Sequence, residues 1–127
     1  MKKIYMDYAA TTPVDQDVLA AMLPFFAETF GNPSSLHVFG QEAKDAVESA
    51  RRTIAMSIGA EPEEIVFTSG GSESDNFAIK GMTCAAQKKG THVITSGIEH
   101  HAVLESCRFL EKNGFEVTLL PVDSDGL

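Results

Sequence analysis

The sequence predicts an α/β protein, in which a helical N-terminal arm leads into a β-α-β-α-β run. Three observations carry this. Short runs rich in Val, Ile and Phe at Glu64–Thr68, Thr91–Thr95 and Phe115–Leu120 have the length and composition of strands. Longer stretches with helical spacing of apolar residues separate them. Glycine-bearing turns stand at the joins. Strands alternating with helices are expected to lie parallel with right-handed crossovers. Their composition suits a sheet covered on both faces.

Lys2 to Pro13 is short and rich in turn residues. From Val14 to Glu28, apolar residues recur at Val14, Val18, Met22 and Phe25, which is helical spacing. Pro24 interrupts that run and is expected to kink or shorten the helix, because it lacks an N–H and its ring clashes with the preceding turn. Phe30 to Ser35 reads as a loop from its Gly-Asn-Pro-Ser chemistry. Gln41 to Ile58 is the clearest helix: Ala43, Val47, Ala50, Ile54 and Ile58 form one face, and Gly59 suits its end. Ser72 to Gln87 and His100 to Asn113 are the later helices; Val103, Cys107 and Leu110 share a face of the second, and Gly114 ends it. Residues 1–35 are grouped as the arm, and 36–127 as the start of a larger α/β domain.

Composition narrows the function classes. The 127 residues are 43% hydrophobic and 22% charged, so a buried core is expected and disorder is not. The net charge of -8 argues against a nucleic-acid surface, since the acidic excess repels phosphate backbones. No apolar run reaches membrane-spanning length, and Asp7 follows Met1–Tyr5 too closely for a leader core. Two cysteines are too few for a disulfide framework. The expected setting is cytoplasmic, without a membrane partner. The last residues, Pro121 to Leu127, read as an interruption after a strand and a turn.

Chemistry is expected where strands run into helices, at the carboxyl edge of an open α/β sheet. Two turns qualify. In Phe67-Thr68-Ser69-Gly70-Gly71-Ser72-Glu73-Ser74-Asp75-Asn76, the glycines permit unusual φ values and close backbone approach, while the helix start offers unpaired N–H groups and partial positive charge. That combination favours a phosphate, with the Ser72 hydroxyl as a further donor. The plainer alternative is a capping box, with Ser72 three residues before Asp75. The turn is neither a Walker A loop nor a G-x-G-x-x-G fingerprint. The second turn is Ser96-Gly97-Ile98-Glu99-His100-His101. A histidine there can stack on an aromatic ligand or carry a proton, or simply face solvent at a helix start. Metal ligation is not expected, because neighbours in sequence do not converge on one ion and H-E-x-x-H spacing is absent. Cys84 and Cys107 are expected to pack within helices.

Taken together, Asp7-Tyr8-Ala9-Ala10-Thr11-Thr12-Pro13, Gly31-Asn32-Pro33-Ser34-Ser35, Phe67 to Asn76 and Glu99-His100-His101-Ala102-Val103 resemble the cysteine desulfurases, pyridoxal phosphate (PLP) enzymes of the class V aminotransferase group. The resemblance runs through the whole chain with the motifs in family order, and the Thr-Ser-Gly-x-x-Glu-Ser-Asp-Asn form is similar to the nitrogen-fixation and iron–sulfur-cluster branch. It implies the large domain of a fold type I PLP-dependent transferase, incomplete here. It implies conversion of L-cysteine to L-alanine, with the sulfur left as an enzyme persulfide for acceptors such as iron–sulfur scaffolds, in a homodimer. It implies that Gly71 and Ser72 hold the cofactor phosphate, that His100 stacks on the pyridine ring and assists proton transfer, and that His101 is surface. In relatives, the N-terminal segment and the loop around Asn32 lie near the active site and dimer contacts.

Some family features are missing. No Ser-x-His-Lys motif for the Schiff-base lysine occurs, and neither Cys84 nor Cys107 matches the nucleophile. The chain alone is therefore expected to be inactive. Selenocysteine lyase, another class V enzyme, and a non-catalytic binding or dimerisation piece stand as alternatives.

Overall fold

A computed structural model describes residues 3–127. The readings that involve Met1 and Lys2 lie outside the described residues. The chain divides between Ile65 and Val66 into two compact units.

The first unit is helical. Helix α1 (Gln16–Met22) starts at Asp15, whose carboxylate accepts from the N–H groups of Asp17 and Val18. It stops before Pro24, which opens the short helix α2 (Pro24–Ala27) at a position where its missing N–H costs nothing. The expected interruption therefore separates two helices. Helix α3 (Val38–Ile58) begins earlier than its apolar pattern indicates and ends at Gly59, whose φ of 69° is the left-handed conformation a non-glycine residue adopts with strain. A 3₁₀ turn (Pro62–Glu64) packs beside α3. Arg51 ties the two, bonding Glu48 at 3.2 Å and the Ile65 carbonyl. The predicted apolar face of α3 is only partly buried. Ala43 is covered, while Val47, Ile54 and Ile58 are exposed. A cavity of about 400 Å³ opens between Phe25, Phe30, Pro33 and Val47.

The second unit carries the sheet. Strands β1 (His92–Ser96) and β2 (Glu116–Leu120) pair in parallel, Val93 opposite Val117 and Ile94 opposite Thr118. Helix α4 (Gly71–Ala85) precedes β1, and helix α5 (His101–Lys112) connects the strands. The expected parallel pairing is present, but the expected first strand at Glu64–Thr68 is not: Ile65 to Thr68 is irregular. A strand exists only as one side of a ladder, and the two-stranded sheet of β1 and β2 offers this segment no neighbour. The core lies under α5, where Ala102, Ser106, Cys107 and Leu110 recur every three or four residues and bury against Phe115 and the strands. Buried Ser106 is satisfied by donating to the Ala102 carbonyl at 2.7 Å. Gly114, with φ 89°, closes α5 as expected.

The helix directions follow from local contacts. The end of α4, at Met82, Thr83 and Ala86, meets the start of β1 at His92 and Val93. The end of α5 meets the start of β2, where the Phe115 N–H donates to the Leu110 carbonyl. The C-terminal halves of α4 and α5 touch each other, with the Lys80 ammonium 4.4 Å from the Phe109 ring centre. Both helix N-termini therefore face the carboxyl edge of the strands. No described helix is long and apolar enough to cross a membrane.

Candidate functional site

The turn entering α4 is organised by its hydroxyls and one carboxylate. Thr68 Oγ1 and Ser74 Oγ share a hydrogen bond of 2.7 Å, and both contact the Gly70 carbonyl at 3.3 Å. A single oxygen of Glu73 accepts from the Ser69 N–H at 2.7 Å and from the Ser69 hydroxyl at 2.6 Å. These two bonds, the hydroxyl's first, hold the Glu73 carboxyl below its usual range. The capping alternative is corrected here. The helix starts at Gly71, so Ser72 lies inside its first turn and does not cap it. Gly70 is the cap residue and has no side chain to offer, and the pair bonded at the helix start is Ser69 donating to Glu73, not Ser72 with Asp75.

The first intrahelical bond runs from the Ser74 N–H to the Gly70 carbonyl at 3.1 Å. Among the described residues, the N–H groups of Gly71, Ser72 and Glu73 have no acceptor, and neither does the Ser72 hydroxyl. Ser72 contributes only its carbonyl, which accepts from Asn76 Nδ2 at 2.8 Å. The glycines are not used for unusual dihedrals, since neither Gly70 nor Gly71 has left-handed φ. What they leave is space: a Cβ built at either meets no atom within 4 Å. Successive unpaired donors at an open helix start, with no side chain in front of them, match the needs of a phosphate oxyanion. The residues present thus fit the phosphate of PLP.

The second turn places His100 at the cap of α5. Its φ and ψ of -57° and 147° lie outside the helix, and its Nδ1 accepts from the Ala102 N–H at 3.1 Å. An accepting Nδ1 carries no proton, so the neutral ring holds its proton on Nε2. Just upstream, the Ser96 hydroxyl donates to Glu99 at 3.0 Å. The sequence pattern alone did not reveal the capping role of His100. His101 is the first residue of α5; it is exposed, its side chain makes no hydrogen bond among the described residues, and its ring centre lies 6.5 Å from that of His100. Among the described residues no three His, Cys, Asp or Glu side chains group to hold a metal ion.

The structure brings both turns to the carboxyl edge of one unit, although no hydrogen bond joins them. The loop around Asn32 belongs to the other unit. There Asn32 Oδ1 accepts from the Ser34 N–H and its carbonyl accepts from the Ser35 N–H, both at 2.9 Å. Gly40 of α3 packs against this loop. The cysteines divide. Cys107 packs as expected; burial, then the Glu99 charge, pushes its thiol up, which keeps it protonated and unreactive. Cys84 is exposed, because the outer face of α4 has nothing over it.

The model of the aminotransferase class-V family matches residues 4–127. A cysteine desulfurase IscS of Dictyoglomus turgidum is 60% identical over 125 residues, 98% of this chain and 32% of that protein. One of Methanosarcina thermophila is 57% identical over 126 residues, 99% of this chain and 31% of that protein. Among solved structures, a NifS-like protein superposes with a TM-score of 0.88 at 43% identity, over 97% of this chain and 34% of its own. A structure of SspA in complex with cysteine gives 0.82 at 50% identity, over 91% and 33%. The chain therefore spans about a third of the length of these relatives.

Proposed function

This chain belongs to the aminotransferase class-V family, and on that premise we propose that it is the N-terminal part of a PLP-dependent cysteine desulfurase of the nitrogen-fixation and iron–sulfur-cluster type. The observation that carries the reading is the open donor set at Gly71 and Ser72, in a chain 60% identical to a named cysteine desulfurase. The whole protein converts L-cysteine and an enzyme thiol into L-alanine and an enzyme persulfide. The C–S bond of the substrate breaks and an S–S bond to the enzyme forms, with no outside oxidant.

PLP, when bound, supplies an electron sink for the substrate's carbon skeleton. The residues of this chain supply the rest. Gly71 and Ser72 hold the phosphate through their N–H groups and the Ser72 hydroxyl. His100 presents its ring to the cofactor, and the bond from Ala102 fixes that ring so that Nε2 handles the proton. Neither Cys107 nor Cys84 is the nucleophile, and no lysine of this chain lies in the Schiff-base motif. The 127 residues alone are inactive.

In the whole protein, residues 1–35 form an arm and 36–127 open the large domain of a cytoplasmic homodimer. The persulfide passes to an acceptor such as an iron–sulfur scaffold. The test uses the full-length protein loaded with PLP. L-cysteine is expected to yield alanine and protein-bound sulfur in equal amounts, and to outcompete selenocysteine. Faster turnover of selenocysteine favours a selenocysteine lyase, and alanine from neither substrate overturns the reading.

A further inference from the structure

We propose that Glu73 is a positioning residue for the cofactor phosphate: it clamps Ser69 so that the N–H groups of Gly71 and Ser72 stay free and aligned. The inference rests on the PLP reading above and concerns a residue to which that reading gives no role.

The Gly70 carbonyl accepts from Thr68 and Ser74, but Gly70 caps α4 without a side chain, so no side chain at the cap position fixes the chain's entry into the helix. Ser69 is the nearest polar residue, and it has two donors. Left free, its hydroxyl could swing onto the open N–H groups of the first turn, as serine does at helix starts. Glu73 prevents this by accepting both the N–H and the hydroxyl of Ser69 on one oxygen, at 2.7 and 2.6 Å. Glu73 is itself removed from competition. A glutamate in the first turn ordinarily folds back toward the helix's own unpaired donors. Committed to Ser69, it leaves the N–H groups of Gly71 and Ser72 to a ligand. The lowered Glu73 carboxyl agrees with a clamp that works as the carboxylate.

A bare charge at that position acts in the opposite direction. A carboxylate near a phosphate site repels the phosphate. If charge were the whole effect, neutralising Glu73 would tighten cofactor binding. If the clamp dominates, removing it weakens binding, and only for the form of the cofactor that carries phosphate.

The experiment measures equilibrium binding of PLP and of phosphate-free pyridoxal to the full-length apoprotein by cofactor absorbance. Glu73→Ala is expected to weaken PLP about tenfold or more, the loss typical of charge-assisted hydrogen bonds, and to leave pyridoxal within about twofold. Glu73→Gln keeps one acceptor on Ser69 and is expected to fall between Glu73→Ala and the parent; it also provides a folded variant should alanine not be tolerated. Equal weakening of both cofactors means a general structural role, and unchanged or tighter PLP means charge alone; either overturns the proposal. Ser72→Ala and Gly71→Pro separate this failure from failure of the premise. If Ser72→Ala, which removes the hydroxyl, and Gly71→Pro, which removes an N–H at a helix position that accepts proline, both leave the preference for PLP over pyridoxal unchanged, this turn does not hold the phosphate. The PLP reading of the site then falls, and the Glu73 proposal with it.

Discussion

His100 has two jobs in the reading above, and substitution separates them. Its Nδ1 caps α5 through the Ala102 N–H at 3.1 Å, while Nε2 and the ring face are left for the cofactor. His100→Ala removes both. Loss of a cap costs about 1 kcal/mol, and loss of a histidine that moves a proton costs about 10²- to 10⁴-fold in rate. His100→Asn removes only the ring, because asparagine is among the best cap residues and its side-chain oxygen can accept the same N–H. In the full-length protein, both variants are expected to lose turnover to the same degree, while only His100→Ala unfolds at lower denaturant. His101→Ala, which loses no hydrogen bond, is expected to stay within about 0.5 kcal/mol of the parent and to keep its rate. Alanine formation and urea unfolding on the same preparations give both quantities. Full turnover by His100→Asn would refute the ring's role. A His100→Asn protein as unstable as His100→Ala would refute the cap.

Gly40→Ala in the full-length protein is expected to destabilise by about 1–2 kcal/mol, although alanine in an open helix gains about 1 kcal/mol over glycine. The new Cβ would stand 2.4 Å from the Ser35 carbonyl oxygen and 2.7 Å from that of Asn32, both backbone atoms. A urea midpoint at or above the parent's would show that the loop yields freely. Under native conditions Cys107, 2% exposed, is expected to resist iodoacetamide while Cys84 reacts; peptide mass mapping before and after denaturation decides, and rapid native labelling of Cys107 contradicts the packing of α5. The 127 residues purified alone are expected to self-associate, and light scattering from a stable, cooperatively unfolding monomer would contradict this.

Features set by a residue's own backbone chemistry were legible in the sequence. Pro24 divides the first helical run, Gly59 and Gly114 take left-handed φ at helix ends, and the turn at Ser69–Gly71 opens a helix. Parallel pairing of the last two predicted strands followed from their separation by one helix. Features that depend on a partner were not legible. Glu64–Thr68 has strand composition, but the β1–β2 sheet gives it no ladder. The apolar face of α3 is present at the right spacing, yet Val47 and Ile54 stay exposed because a face buries only against something. Residue type and order placed Gly71, Ser72 and His100 at helix starts, where the structure has them. The clamp between Ser69 and Glu73 was not, because Ser72 with Asp75 has the more familiar capping spacing and only the observed helix start decides between them.

The misses at residues 64–68 and along α3 share a cause that the surface area makes quantitative. A folded chain of this mass exposes about 6,600 Å², and two independent units of half the mass would together expose about 8,000 Å². This chain exposes 10348 Å², more than either, so the excess does not depend on how its units are arranged. Much of it is apolar: Phe26, Phe77, Met82 and Leu119 are all more than half exposed, and the groove at Phe25, Phe30 and Val47 is open. A monomer rarely leaves so much apolar area to water. The relatives it resembles are about three times as long, which is ample material to cover these faces and to supply a neighbour for residues 65–68. The turn entering α4 is different in kind. Its hydrogen bonds are local, from Thr68 to Asn76, so its form needs no distant partner and is already in place. Within this chain, then, the open donor set at the start of α4 is formed by local residues, whereas the apolar faces of its helices lie uncovered.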